Sequence, residues 1–329
     1  MKIAILDDYQ DVVKTLPCFS LLNEHSVTVY STPPQSEAEL IERLADQDGV
    51  VLIRERTVIH ASLLEQLPAL KIISQTGSLS NHLDLKVCSK YGVAVAEGIG
   101  SPVSTAELCW ALILTASRHI VPYVVNLKQG LWQDSGSLGL GRTLNGLTLG
   151  IWGYGKIGQR IARFGEAFGM NVLVWGSESS RKLAVSHGFA AATSKADFFS
   201  TADVLTLHLR LNPATRGCVS YEDLQLMKKD ALLVNTSRAA LIESQALYRS
   251  LLAGRPGYAA LDVYEQEPVL AGQELLLNLP NVLGSPHLGY VEQKSYELYF
   301  KIAFENIVNF FNGKPQHIAN PDVLPESEL

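Results

Sequence analysis

The sequence predicts an α/β protein with two doubly wound parallel sheets, each at the centre of its own domain. Short apolar runs rich in valine and isoleucine alternate with helix-like stretches through the first hundred residues, and the same alternation restarts in the second half. Such alternation is typical of βαβ units in a parallel sheet. The predicted strands are KIAIL, VTVY, GVVLI, LKIIS and VAVA in the first block, and LTLGIWG, NVLVW, ADVLTLHL, DALLVNTS and GYAALDV in the second. A length of 329 residues lets each domain bury a core of its own.

Two predicted helices mark where the chain passes between the domains. The segment Ser101 to Leu131 carries apolar residues on more than one face, which predicts one long buried helix. The segment Glu292 to Phe311 has an aromatic-rich helical pattern, and we expect it to cross back to the first domain. The second domain is then an insertion, with residues 1–100 and 292–329 in one domain and residues 101–291 in the other.

Charge and composition argue against several classes of protein. A formal net charge of -6 disfavours a mainly nucleic-acid-binding role. The apolar stretch at the amino terminus stops at Asp7 and Asp8, too early for a signal peptide. The most apolar helix is broken by Arg118, His119 and Pro122, which favours a buried helix over a membrane span. Because the four cysteines show no CxxC spacing, we expect reduced thiols in a cytoplasmic setting and no metal. The net charge and the broken apolar helix predict no nucleic-acid partner and no membrane partner.

A glycine-rich loop follows the first strand of the second block. Gly153, Gly155 and Gly158 form a GxGxxG pattern between a strand and an apolar-periodic helix. The first glycine allows the tight turn, the second lets the backbone approach a pyrophosphate, and the third lets helix and strand pack closely. Amides at the helix start, from Lys156 and Ile157 onward, would face the anion. This context predicts a Rossmann domain that binds NAD or NADP.

The residue that reads the adenosine ribose is expected at the end of the next strand, NVLVW. An acid there would accept hydrogen bonds from both ribose hydroxyls, but the strand ends in Trp175 and Gly176. Ser177 and Arg181 follow and offer donors for a 2'-phosphate, so NADP stays open beside NAD and measurable use of NADPH is expected. Glu178 could restore a preference for NAD.

Three polar residues follow strands of the second block: Arg238 in NTSR, Glu267 in DVYEQEP and His287 in SPHLGY. The carboxyl ends of strands form the ligand crevice of an open α/β sheet. Hydride reduction of a ketone needs a proton donor, a role that suits histidine, and a glutamate beside it would orient the ring and favour its protonated form. An arginine can bind a substrate carboxylate and carbonyl through two parallel hydrogen bonds. We therefore predict that these three residues are catalytic.

These segments resemble the D-isomer-specific 2-hydroxyacid dehydrogenase family over nearly the whole chain. NTSR, DVYEQEP and PHLGY match the family's arginine, glutamate and histidine motifs, and GYGKIG matches its cofactor loop. The resemblance implies hydride transfer between NAD(P) and a small D-2-hydroxy or 2-oxo acid, by a Rossmann domain inserted into a flavodoxin-like substrate domain. It also implies a homodimer built around the Ser101 to Leu131 segment. Further implied cofactor contacts are Asp262, toward the nicotinamide carboxamide, His208 and Thr236.

The resemblance also indicates substrate contacts in the first domain. Arg54 in IRERT is a predicted anion contact, with a surface salt bridge as the open alternative, and the amides of Ser78 and Leu79 are predicted to receive the carboxylate. Two residues depart from the family pattern, since Leu79 replaces a small residue of that turn and Arg210 stands where the family has a proline. Arg210 either adds a cationic contact near the adenosine or faces solvent.

Other functions compatible with this fold stay open. A non-catalytic NAD(H)-sensing interaction protein of the same fold would also carry the triad, because fold alone does not assign function. Formate dehydrogenases of the family have a glutamine where this chain has Glu267, so the glutamate favours proton-transfer chemistry on a ketone. The particular 2-oxo acid stays open, since its pocket is expected to form from both domains.

Overall fold

The computed structural model describes residues 1–80 and 82–325. The chain forms two compact units: unit 1 is Met1–Ser101 together with Glu292–Leu329, and unit 2 is Pro102–Val291. Residues 326–329, which the sequence prediction includes in the first domain, lie outside the described residues.

The elements follow one another in the alternating order of an α/β protein. The strands are β1 (Lys2–Ile5), β2 (Ser26–Val29), β3 (Gly49–Leu52), β4 (Ile72–Gln75), β5 (Ala94–Ala96), β6 (Thr148–Trp152), β7 (Asn171–Trp175), β8 (Ala190–Ala191), β9 (Val204–Leu207), β10 (Leu232–Asn235), β11 (Tyr258–Leu261) and β12 (Val282–Gly284). The helices are α1 (Glu37–Leu44), α2 (Ala61–Glu65), α3 (Leu85–Lys90), α4 (Pro102–Ser117), α5 (Ile120–Lys128), α6 (Lys156–Ala167), α7 (Glu178–Ser186), α8 (Lys195–Thr201), α9 (Tyr221–Leu226), α10 (Ala246–Leu252) and α11 (Gln293–Phe311).

The sheet of unit 1 is parallel, with the strand order β2-β1-β3-β4-β5. This is the flavodoxin-like order of a doubly wound sheet. β3 is buried along its whole length, which explains its unbroken apolar run, since helices cover both faces of such a sheet. α11 packs on this sheet, where Ser74 Oγ of β4 donates to the Ala303 carbonyl at 2.9 Å. Its Phe304 ring also meets Phe19, in the 3-10 helix Pro17–Leu22, edge-on.

The sheet of unit 2 is also parallel, with the order β12-β11-β10-β9-β6-β7-β8. Counted from β6, this is the Rossmann order with one more strand at the far edge. The winding direction reverses between β6 and β9, and ligands of open α/β sheets bind at such a switch point. The predicted fold class, two doubly wound parallel sheets that include a Rossmann domain, is confirmed.

The predicted single helix over Ser101 to Leu131 is wrong, because the segment forms α4 and α5. Pro122 has no N–H for the carbonyl of Arg118, and its ring would clash with that carbonyl in a continuous helix. His119 instead takes a left-handed φ of +52°, and the two helices meet at 65°. Among the described residues no single helix is long and apolar enough to cross a membrane, and only α4 and α5 together pass that test, by length and composition, across their bend.

Candidate active site

The glycine loop of unit 2 leaves β6 and enters α6. Gly153 adopts a φ of +103°, and a Cβ atom there would lie 2.7 Å from the carbonyl oxygen that follows β9. A Cβ atom on Gly158 would lie 2.1 Å from the Gly153 carbonyl oxygen. At Gly155, by contrast, a Cβ atom would meet no described atom within 4 Å. This open space at the start of α6, where Lys156 and Ile157 form the first turn, fits a pyrophosphate that the helix amides would stabilise.

The end of β7 carries the residues predicted to read the ribose. Gly176 adopts a φ of +151°, and Ser177 caps α7, its Oγ accepting a hydrogen bond from the Ser180 amide at 3.2 Å. The Arg181 guanidinium lies over the Trp175 ring, 4.8 Å from its centroid. The buried Nε of Arg181 has no hydrogen-bond partner among the described residues. A buried donor without a partner costs free energy, and an incoming anion would satisfy it.

Two further predicted cofactor contacts follow strands directly, His208 after β9 and Thr236 after β10. In the part of the chain that the structure describes, neither ring nitrogen of His208 has a hydrogen-bond partner, although both atoms are buried. Burial lowers the pKa of His208 to about 4, so the ring stays neutral at physiological pH and can both donate and accept. Unsatisfied polar groups near the glycine loop fit a polar ligand. Arg210 is exposed.

The structure brings His287 and Glu267 together. His287 Nδ1 lies 2.6 Å from Glu267 Oε2, and the other carboxylate oxygen accepts a hydrogen bond from the Tyr264 amide at 2.9 Å. The two side chains are 21% and 28% exposed, so both remain accessible to a ligand. His287 adopts a φ of +53°, a conformation that a non-glycine residue keeps only where its surroundings hold it. This geometry fixes the imidazole by Nδ1 and directs Nε2 to other partners.

Asp262 fixes the loop that carries His287. Its buried carboxylate accepts hydrogen bonds from Ser285 Oγ at 2.6 Å and from the amides of Leu288 and Gly289 at 2.7 and 2.9 Å. Burial raises the pKa of Asp262, while these hydrogen bonds and the nearby His287 oppose the rise. Sequence reasoning missed Ser285 as a partner of this aspartate, although a serine two positions before the histidine in SPHLGY was a visible signal.

Arg238 follows β10, which neighbours β11 in the sheet. Asn235 shapes its backbone: Nδ2 donates to the Arg238 carbonyl at 2.9 Å, and Oδ1 accepts from the Ser237 amide at 3.0 Å. The half-buried Arg238 guanidinium donates through Nη1 to the Ser237 carbonyl at 2.5 Å. Since β10, β11 and β12 are adjacent, Arg238, Glu267 and His287 lie on segments that leave the carboxyl ends of three neighbouring strands.

In unit 1 the Arg54 side chain is largely buried, at 17% exposed, and adopts a φ of +55°. Its amide donates to Thr76 Oγ1 at 3.0 Å, and its Nη1 donates to the Thr76 carbonyl at 3.1 Å. Its Nη2 lies 3.6 Å from Glu55 Oε1. Arg54 therefore forms a salt bridge with Glu55, which was the open alternative to a substrate contact, but both side chains are largely buried and do not lie at the surface.

The turn after β4 carries the other predicted substrate contacts. Ser78 is exposed, whereas the Leu79 amide donates to Glu97 Oε2 at 3.3 Å. Sequence reasoning missed Glu97, because it assigned this amide to the substrate alone. A glutamate directly after the last strand of the sheet, β5, was the signal that could have indicated it.

Known proteins similar to this chain indicate its family. Residues 110–289 match the family described as D-isomer specific 2-hydroxyacid dehydrogenase, NAD binding domain. A solved phosphoglycerate oxidoreductase from Vibrio cholerae is 61% identical, covering 95% of this chain and 99% of that chain, with a TM-score of 0.93. A solved oxidoreductase from Ralstonia solanacearum is 51% identical, covering 99% of this chain and 98% of that chain, with a TM-score of 0.96.

Relatives identified by sequence are likewise named as reductases and dehydrogenases. A glyoxylate reductase from Aeropyrum pernix is 34% identical over 90% of this chain and 89% of its own length. A D-3-phosphoglycerate dehydrogenase from Methanocaldococcus jannaschii is 33% identical over 89% of this chain, which spans only 56% of that relative. The resemblance that the motifs predict is confirmed. The chain is an NAD(P)-dependent oxidoreductase and belongs to the D-isomer-specific 2-hydroxyacid dehydrogenase family.

Proposed function

We propose that this protein interconverts a small 2-oxo acid and its D-2-hydroxy acid, with His287, Glu267 and Arg238 as the catalytic residues. The observation that carries the proposal is the 2.6 Å contact between His287 Nδ1 and Glu267 Oε2, on a loop that Asp262 holds in place. The direct test is a reductase screen of glyoxylate, hydroxypyruvate, pyruvate, 2-oxoglutarate and 3-phosphohydroxypyruvate with NADH and with NADPH. No turnover of any 2-oxo acid would contradict it.

The three residues have distinct roles in the reaction. When bound beside the glycine loop, NAD(P)H would supply a hydride to C2 of the substrate. Because Glu267 engages Nδ1, Nε2 of His287 donates the proton to the carbonyl oxygen as that oxygen gains negative charge, and in oxidation it accepts the hydroxyl proton. Arg238 pairs with the substrate carboxylate and carbonyl through parallel N–H groups, which orients C2 and stabilises the developing charge.

Cofactor and substrate binding are assigned to different parts of the chain. Residues 101–291 bind the cofactor, and the space beside Gly155 supports this assignment. Residues 1–100 and 292–329 bind the substrate, with Arg54 and the amides of Ser78 and Leu79 as contacts for its acid group. Asp262 acts mainly as a positioning residue, since both its carboxylate oxygens accept hydrogen bonds from the loop that carries the catalytic histidine.

Glu267→Gln is expected to lower kcat for reduction by at least about 10-fold, because a neutral amide holds the ring at Nδ1 less strongly than a charged acceptor and the proton donor is then less well positioned. The measurement is single-turnover reduction at saturating cofactor, with Glu265→Gln, at an exposed neighbouring position, as control. Native kcat in the Glu267→Gln enzyme would remove Glu267 from the role of histidine partner.

The enzyme is proposed to accept NADPH. Gly176 brings no carboxylate that would repel a 2'-phosphate, and Glu178 pairs with Lys182 at 2.6 Å on the exposed surface of α7. Ser177, at the start of α7, and Arg181, with its unpartnered Nε among the described residues, supply donors for a phosphate.

Arg181→Ala is expected to raise the KM for NADPH by about 10-fold and to leave the KM for NADH within about 2-fold, since one charge-assisted hydrogen bond is lost with the phosphate alone. Steady-state kinetics with each cofactor measures the effect, with Lys182→Ala as a control that removes another cation of α7. Gly176→Asp is a less direct test, because a φ of +151° strains any residue other than glycine. Equal effects on both cofactors would contradict a phosphate contact.

A homodimer is proposed through the face formed by α5 and the segment that follows it, the α5 face. Its apolar side chains are exposed, with Trp132 at 77% and Leu140 at 92%. The exposed apolar residues of this face are Ile120, Val121, Val124, Val125, Leu127, Leu131, Trp132 and Leu140. Many exposed apolar side chains in one stretch of the chain are typical of a protein interface, and the family resemblance indicates a second copy of this chain as the occupant.

Val124→Asp combined with Trp132→Asp is expected to convert the dimer to monomer, because two buried charges would have no partners in the interface. Sedimentation velocity at micromolar concentration measures the state. The control is Val185→Asp, since this valine is 57% exposed on α7, outside the α5 face. A native protein that sediments as a monomer would contradict the proposal.

The cytoplasm is the proposed compartment. All four cysteines are free thiols, and Cys18, Cys88 and Cys109 are buried. Burial raises the pKa of Cys18 and of Cys109 to about 12, so these thiols are unreactive rather than poised for disulfide formation. Reduced thiols of this kind support an intracellular, reducing compartment.

A further inference from the structure

A cavity of about 210 Å³ lies in unit 2 at the amino ends of β10 and β11. Leu232 and Tyr258, the first residues of these two strands, form part of its wall, and Ser117, the last residue of α4, forms another part. Arg238 and Glu267 instead follow the carboxyl ends of the same strands. The cavity is therefore separate from the proposed catalytic residues, and the mechanism described above does not use it.

The hydroxyl of Ser117 is an unsatisfied polar group in this cavity. Ser117 is 5% exposed, and its buried Oγ has no hydrogen-bond partner among the described residues. A hydroxyl can donate one hydrogen bond and accept others, so burial without a partner costs free energy. The cavity has room for more than one water molecule, whose share of liquid volume is about 30 Å³. A polar group of a small ligand would therefore fit the cavity and satisfy this hydroxyl.

Arg142 brings a positive charge to the same cavity. Its amide donates to the Ser117 carbonyl at 2.8 Å, and its Nη2 donates to the Asp203 carbonyl at 2.9 Å, so the residue is held beside the end of α4. Its Nη1 lies 3.5 Å from Asp230 Oδ2, but the Asp230 side chain is 73% exposed and that of Arg142 only 23%. Because water screens an ion pair with so exposed a carboxylate, an anion inside the cavity can compete for the guanidinium.

The ring of His119 forms a further part of the wall. The residue is 6% exposed, and its ring centroid lies 5.3 Å from that of Tyr258. Burial lowers the pKa of His119, the charge of Arg142 lowers it further, and a hydrogen bond to the Leu140 carbonyl opposes the shift. The titratable and charged groups that line the cavity with this ring are Arg142, Asp230 and Tyr258. The ring is therefore neutral at pH 7, and a bound anion would favour its protonated form.

We propose that this cavity is a binding site for a small monocarboxylate with a short apolar chain. The carboxylate pairs with the Arg142 guanidinium and accepts a hydrogen bond from Ser117 Oγ, which gives the buried hydroxyl its partner. Protonation of the His119 ring adds a second favourable charge beside the bound anion. This site does not depend on the function proposed above, because none of its residues takes part in the reaction.

The remaining wall and the nearby acid define the class of ligand. Leu140 and Leu232 line the cavity and cover the apolar chain of the ligand. Asp230 lies at the exposed side of the cavity, so a dianion such as phosphate would be repelled more strongly than a monoanion.

The test follows the histidine rings of the native protein by NMR while butyrate is added. The chain has eight histidines, and the ring signal that His119→Gln removes is assigned to His119. Butyrate is expected to shift this signal and to raise the pKa of the ring, because the bound anion favours the protonated form. Butyramide, which has nearly the same shape and no charge, is expected to do neither. The signal of His287 reports any butyrate that reaches the catalytic residues instead.

Two variants test the donors. Arg142→Gln is expected to weaken butyrate binding by about 10-fold or more, and Ser117→Ala by about 3- to 5-fold, because each removes a hydrogen bond to the carboxylate. Ser117→Ala is compatible with the native fold, since it deletes only a hydroxyl that has no partner among the described residues. The matched controls are Arg163→Gln and Ser186→Ala, at exposed positions of α6 and α7, and both should keep native binding.

Three results would overturn the proposal. A His119 signal that does not respond to butyrate, including a response of His287 alone, would show that the cavity does not bind the carboxylate. An equal response to butyramide would show that the negative charge is not recognised. Native butyrate binding in both Arg142→Gln and Ser117→Ala would exclude these two residues as the donors of the site.

Discussion

His287→Ala is expected to lower kcat for reduction of a 2-oxo acid by about 100- to 10,000-fold, the contribution that a positioned general acid makes. Without the imidazole, the oxygen at C2 must take its proton from water while the hydride arrives. The carboxylate of Glu267, 2.6 Å from Nδ1 in the native enzyme, cannot replace the lost donor, because it is itself an acceptor when ionised. Asp262 should keep the loop folded, since its hydrogen bonds to Ser285 and to two backbone amides do not involve the imidazole.

The measurement for His287→Ala combines turnover with cofactor affinity. Single-turnover reduction at saturating NAD(P)H should be slow, while fluorescence titration should give a native Kd for NAD(P)H, since the glycine loop around Gly155 is unchanged. His60→Ala removes an exposed histidine of unit 1 and should keep native turnover. A His287→Ala enzyme that retains more than about one-tenth of native kcat would show that the proton comes from another group, because loss of a general acid costs at least about 100-fold.

Arg238→Lys is expected to lower kcat/KM for the 2-oxo acid by about 100- to 1,000-fold, the range found when one donor to a developing oxyanion is removed. Lysine keeps the positive charge, but it presents a point charge instead of two parallel N–H groups, so carboxylate and carbonyl are not held in one plane. The hydrogen bond from Nη1 to the Ser237 carbonyl, 2.5 Å in the native structure, also loses its planar donor.

The kinetic signature of Arg238→Lys separates it from a loss of folding. Both KM and kcat for the 2-oxo acid should change, since the guanidinium acts on binding and on the developing charge, while the Kd for NAD(P)H stays native. The control is Arg249→Lys, because Arg249 is exposed in unit 2 and its guanidinium lies over the Tyr221 ring. A variant of Arg238 with native kinetics would exclude the guanidinium from the reaction.

The sequence by itself determined the fold class and indicated the segments that are proposed to carry the chemistry. Strands buried on both faces are continuous apolar runs, so β3, β6 and β10 are visible without any tertiary information. The GxGxxG pattern is also visible in the sequence, because its three glycines are closely spaced between an apolar strand and an apolar-periodic helix. The strands β8 and β12 were missed, since segments of two and three residues at sheet edges carry almost no periodic signal.

Only the tertiary structure decided the contacts between residues far apart in the chain. Glu267 and His287 are twenty positions apart in the sequence, yet their side chains meet at 2.6 Å. This contact depends on the left-handed backbone of the histidine and on three hydrogen bonds to Asp262. Neither feature produces a periodic pattern of residues in the sequence. The same holds for Glu97 on the Leu79 amide and Glu55 beside Arg54, where loop conformation decides which donor meets which acid. Periodicity reports which face of an element is buried, whereas pairing of polar groups across loops is fixed by backbone geometry that forms only when the elements pack.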